Sequence, residues 1–310
     1  MKRQTTGGLS PAGRRGARRR VRTRTALFLC TAAMAGTLLT GLLSRMTPPA
    51  VRVWLGAAAS VAFFALPAYL GLCELDGDQR RLMPVRRLSG GQTLWLAAGG
   101  ALLVCPATLL GDIAAAIALR FAPLSGAQAA VHGADGASLL MPTLLASGLI
   151  APVCEEVFFR GYLLGVFARQ GRLQACVMTA LLFAAVHGLG MNTLVYALLG
   201  LALAAVVLRT GSVFASVLVH MAYNATLVLL SATPLACLFV GLTPAGCTVR
   251  LLGCAALGFT ARRAWLARGA REGKPQALSL TRREAALLAA ALLLVIAAQV
   301  TAVWAAGGQA

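Results

Sequence analysis

Acidic residues are scarce in this chain: nine Asp and Glu stand among 310 residues, against 28 Lys and Arg. All charged residues together reach 12%, and aromatics 6%. An ordinary water-soluble domain devotes about a quarter of its residues to charge, so this composition excludes one. Cysteine occurs eight times but never as a CxxC pair, and Cys30, Cys105, Cys154, Cys176 and Cys237 fall inside apolar runs. That pattern indicates neither a zinc site nor a disulfide framework and leaves the thiols as small buried hydrophobes. No fixed-period repeat runs through the chain, and the paired repeats expected of a transporter are not found.

What is present is apolar. Hydrophobic residues make up 59% of the chain and the mean hydropathy is +0.79. Crossing a bilayer takes about 20 mainly apolar residues in a helix. Runs at 26–44, 53–73, 93–119, 139–168, 173–189, 191–208, 212–231, 235–261 and 285–304 qualify. They predict an all-α, polytopic transmembrane bundle of about eight to nine spans: a basic disordered tail at 1–25, then one integral membrane domain at 26–310. The segment "RRGARRRVRTRT" before the first run resembles a signal-peptide n-region, with Ala33-Met34-Ala35 as a weak cleavage site. Apolar residues continue to Leu43, so an uncleaved anchor is the expectation.

The formal charge of +19 is placed for topology, not for nucleic acid. Nine basic residues lie in the first 24 positions. Others follow every second span: Arg80, Arg81, Arg86 and Arg87, then Arg169 and Arg172, Arg209, and Arg262 to Lys274. Lys and Arg mark cytoplasmic loops, so a multi-pass inner-membrane protein with a cytoplasmic N-terminus is expected. No basic-aromatic groove accompanies the charge, which argues against a nucleic-acid partner.

Ionisable groups within spans are costly and mark function. Here they are Asp112, Glu155, Glu156, Arg160, His187, His220 and Arg250. Glu155 lies 16 residues before Gly171 and His187 lies 16 after it. In an antiparallel hairpin this sets both about 20 Å from the turn, near mid-membrane. His220 and Asn224 share a helix face by i,i+4 spacing, and Glu156 pairs with Arg160 by the same spacing. Glu155 then has no local partner; its nearest candidate is His187. Pro152 can bend the helix beside it. Asp112 is expected at an interface outside the site, and His132 in a solvated loop.

Three segments carry a family resemblance: "EEVFFR" (Glu155, Glu156, Arg160), "FAAVH" (Phe183, His187) and "HMAYN" (His220, Asn224), in that order on separate spans. The sequence resembles the CPBP intramembrane proteases, which comprise type II CAAX prenyl proteases and bacterial bacteriocin-processing or immunity proteins. The matching core covers about 139–231. The resemblance implies peptide hydrolysis in the membrane with no cofactor or metal. Glu155 would activate water with help from His187, His220 and Asn224 would stabilise the oxyanion, and Glu156, Arg160 and Phe183 would support them. The partners are a membrane-associated peptide or protein substrate and the lipid bilayer, with cleavage near the cytoplasmic face. Taken as residues alone, the same set also fits a zinc-dependent protease, a non-catalytic scaffold or immunity protein, or a transporter's proton site.

Overall fold

The computed structural model describes residues 11–73, 85–121, 137–168, 171–188 and 192–267. These residues form a helical bundle, and among them the one piece of β pairing is a bridge between Val85 and Ser212. In order the helices are α1 (Pro11–Ser44), α2 (Pro49–Cys73), α3 (Gly90–Leu102), α4 (Val104–Phe121) and α5 (Leu140–Phe167). They continue as α6 (Arg172–Val186), α7 (Thr193–Thr210), α8 (Val213–Ser231) and α9 (Pro244–Leu266). Seven stretches are long and apolar enough to cross a membrane, α3 and most of α4 counting as one; α6, at 15 residues, is shorter.

Three expected boundaries move. Helix α1 begins at Pro11, inside the basic segment expected to be disordered; Arg and Ala are strong helix formers and extend the helix of the apolar run. The eighth span begins at Pro244 rather than 235, after a turn at Pro234–Leu238 and Gly241 at φ +74°. There Thr243 caps the helix by accepting from the Gly246 N–H at 3.1 Å, with proline in the first turn, a strong start signal. The fifth span ends at Val186 rather than 189. The ninth run, 285–304, lies outside the described residues, as do His132 and the first ten residues of the tail.

Apolar side chains gain little from leaving lipid for protein, so spans associate through close packing of small residues. Helix α1 turns Ala26, Cys30 and Ala33 inward along one face. A Cβ built on Gly100 of α3 would lie 2.5 Å from the Val219 carbonyl oxygen of α8. One on Gly200 of α7 would lie 2.9 Å from Ala180 Cα of α6. Helix α3 is also pinned at its start: Ser89 and Gln92 form a reciprocal cap, and the Ser89 hydroxyl donates to the Ala267 carbonyl at 2.8 Å. The bundle thereby sets α5, α6 and α8 side by side around a common polar interior.

Gly100→Ala forces α3 off the α8 backbone and is expected to lower the detergent thermal midpoint, as overpacking of about 1–3 kcal/mol does. Gly258→Ala on α9, where nothing lies within 4 Å of the added carbon, leaves it unchanged or raises it.

Candidate active site

Helix α5 is not a uniform α-helix. Its stretch Ala151–Glu156 is α-helical, but wider π turns flank it at Leu144–Ile150 and Val157–Leu163. Such turns concentrate at functional sites. Glu155 and Glu156 therefore sit on a short α segment between two changes of helical register. Both are buried, as is Arg160.

Arg160 is the most heavily engaged of the three. Its Nη1 donates to Glu156 Oε1 at 2.9 Å, and its Nη2 donates to the Gly200 carbonyl on α7 at 3.0 Å. The guanidinium lies 4.6 Å from the centroid of the Phe183 ring on α6. Glu156 is not reserved for Arg160, as the i,i+4 spacing alone implied. Its Oε1 also accepts from His220 Nδ1 at 3.0 Å.

Glu155 faces the other way. Its Oε2 has no hydrogen-bond partner among the described residues. It lies 3.9 Å from His187 Nε2 and 4.0 Å from His220 Nε2. Both imidazoles are turned toward it by their Nδ1 atoms. His187 Nδ1 lies 2.8 Å from the Phe183 carbonyl, which can only accept, so Nδ1 carries the proton. His220 Nδ1 is held by the Glu156 carboxylate in the same way. His187 sits between two rings, Phe183 at 4.5 Å and Tyr196 stacked at 4.4 Å. It lies at the end of α6, one residue past Val186, so the hairpin reading matched it to Glu155 but overstated its depth within a span.

Asn224 stands one helical turn beyond His220, and a proline accounts for its bond. In the π turn, the Ala151 N–H donates to the Ala146 carbonyl, five residues back. In that register the Ser147 carbonyl would accept from residue 152, which is proline and has no N–H. Asn224 Nδ2 donates to the Ser147 carbonyl instead, at 2.9 Å. The second hydrogen on Nδ2 is left for another acceptor.

Six of the seven candidate residues therefore meet around Glu155 and Arg160, and Asn224 borders them. Residues 137–226, which contain all seven, match the family model described as Type II CAAX prenyl endopeptidase Rce1-like. Over these residues the chain is similar to the CAAX proteases. No curated protein and no solved structure matches the chain.

Around the Rce1-like core, two further features complete the picture. Asp112 takes no part in the Glu155 cluster. It pairs with Arg250 Nη1 at 2.5 Å, while Arg250 also donates to the Gly241 and Gly246 carbonyls, joining α4 to the start of α9. This is the partner that makes a buried arginine in α9 tolerable. Tyr196 was missed by sequence reasoning. An aromatic in an apolar span carries no signal of its own, and only the packing of α7 on α6 brings it onto His187.

Arg160→Ala leaves Glu156 buried without its cation and is expected to cost about 3–5 kcal/mol, read as loss of folded protein in detergent melts. Asn224→Ala orphans the Ser147 carbonyl at a cost of about 1–3 kcal/mol. In a Pro152→Ala background the new N–H supplies that carbonyl, so the Asn224→Ala penalty shrinks. Equal penalties in both backgrounds would overturn the proline account.

Proposed function

We propose that this protein is an intramembrane endopeptidase, CAAX-type or peptide-processing, in which Glu155 activates water. It is a multi-pass protein of the inner cell membrane with its N-terminus in the cytoplasm. The carrying observation is the 3.9 Å between Glu155 Oε2 and His187 Nε2, two acceptors facing each other with the remaining histidine nitrogen committed. One water fits between them within hydrogen-bond distance of both. It gives one proton to Glu155 as its oxygen attacks the peptide carbonyl, and Glu155 returns that proton to the leaving amine.

The oxyanion that forms needs donors. Asn224 offers its second amide hydrogen. His220 can donate from Nε2 only as the imidazolium, because Nδ1–H already points at Glu156. The Glu156 carboxylate, itself held by Arg160, is the counter-ion for that form. Glu156 and Arg160 thus position His220, and Phe183 and Tyr196 fix the His187 ring.

The same atoms raise one second reading. Two Nε2 lone pairs and a carboxylate oxygen are a donor set for zinc. Zn–N and Zn–O bonds of about 2.0–2.1 Å place tetrahedral ligand atoms about 3.3 Å apart, whereas the two Nε2 atoms stand 3.9 and 4.0 Å from Glu155 Oε2. The wider spacing favours water.

Glu155→Gln is expected to abolish cleavage of a membrane peptide reporter while the protein still accumulates and melts as the parent does; full activity would sink the assignment. His220→Ala should lower kcat by roughly 10²–10³, the scale for one oxyanion donor. Loss of parent activity on chelation, restored by zinc, would favour the metal reading. A cellular phenotype retained by Glu155→Gln would favour a scaffold or immunity role. Peptides that change in membranes between parent and Glu155→Gln cells identify the substrate.

A further inference from the structure

The site lies at one end of a helix too short to cross the membrane. Helix α6 has 15 residues, a rise of about 22 Å, against a hydrocarbon core of about 30 Å. Its register against α7, Ala180 on Gly200, sets its first turn near the level of Gly211. The shortfall is therefore all at the His187 end. There Asn192 Oδ1 would touch a Cβ on Gly111, ten residues before α4 ends at Phe121. Ser147 and Asn224 likewise lie seven residues inside the ends of α5 and α8. Helix α4 thus rises about 15 Å past Asn192, just before the start of α7, and His187 is exposed.

The opposite end carries the charge. Arg86, Arg87, Arg172, Arg209, Arg262 and Arg263 lie on the Gly171–Gly211 side. At the His187 end the described arginines are fewer, Arg45, Arg52, Arg120 and Arg250, the last buried against Asp112. The arginine-rich side is cytoplasmic by the retention of basic loops.

We propose that the Glu155 site is loaded from the extracytoplasmic face, by a peptide segment already exported or inserted across the membrane, which selects the peptide-processing alternative above over CAAX-type cleavage of a cytosolic C-terminus. This moves the entrance away from the cytoplasmic face that the sequence led us to expect. It rests on the protease reading for the word substrate, but its test does not need activity.

Intact cells are treated with a membrane-impermeant maleimide, and modified thiols are located by peptide mass spectrometry. Native Cys237 and Cys73 are exposed near opposite ends of the bundle and report orientation without any substitution. Cys237 and the thiol of N192C should react in intact cells, and Cys73 only in inverted vesicles. H187C makes the same measurement where N192C does not accumulate. Reaction of Cys73 in intact cells with Cys237 protected overturns the proposal by reversing the topology. Reaction of Cys237 with both introduced thiols protected, or reached only from inverted vesicles, overturns it by closing that entrance. If labelling is as expected but Glu155→Gln keeps full peptidase activity, the protease reading fails while the direction of access stands.

Discussion

A guanidinium buried in a membrane-spanning bundle must be neutralised within the protein, and Arg160 is answered from three helices. Its own helix supplies Glu156, α7 supplies the Gly200 carbonyl, and α6 supplies the Phe183 ring. Insertion scales put an uncompensated arginine at mid-helix at about 2.5–3.5 kcal/mol, so these contacts cannot be given up one at a time. Because Glu156 is committed here, its carboxylate is fixed where His220 Nδ1 can reach it. Because Phe183 is fixed, so is the carbonyl that orients His187. The two imidazoles around Glu155 thus take their orientation from one buried ion pair.

Much of this was legible. Glu156 and Arg160 at i,i+4 foretold the ion pair, and counting from Gly171 foretold that Glu155 and His187 meet. Both inferences need only helix periodicity and a tight turn. What they could not show was any contact between helices whose separation along the chain does not encode their distance in space. The bond from Arg160 to Gly200 depends on α7 lying close to α6, which requires Gly200 to pack on Ala180. Nothing in the residues near Arg160 announces that. The His220–Glu156 bond and the Tyr196 stack were hidden for the same reason.

Periodicity also fails where the helix changes its period. The π turns on either side of Ala151–Glu156 rotate the faces of α5, so a helical wheel drawn through residues 140–167 assigns the wrong neighbours. A third π turn, at Val61–Ala65 in α2, also stands just before a proline, Pro67. A proline ring crowds the carbonyl four residues back, and a wider turn relieves that crowding. In α5 the same device frees the Ser147 carbonyl, which Asn224 takes. The sequence showed a proline beside the glutamates and suggested a bend; the consequence is a specific orphan acceptor.

The proposed hydrolysis inside a membrane would make two demands that oppose each other. The carboxylate must be shielded enough that its partners hold it in place, yet water must reach it. A full-length α6 would satisfy the first and block the second. By ending at Val186, the helix puts His187 at a boundary while Glu155, on the longer α5, stays buried against it. The charged pair Asp112–Arg250 lies on the same side, near the level of Asn192, where it ties α4 to α9. That clasp holds the surrounding helices together where α6 no longer fills the space between them. On the proposed reading the short helix and the buried clasp are two parts of one solution, by which water would reach Glu155 past the end of α6 between walls held by protein rather than by lipid.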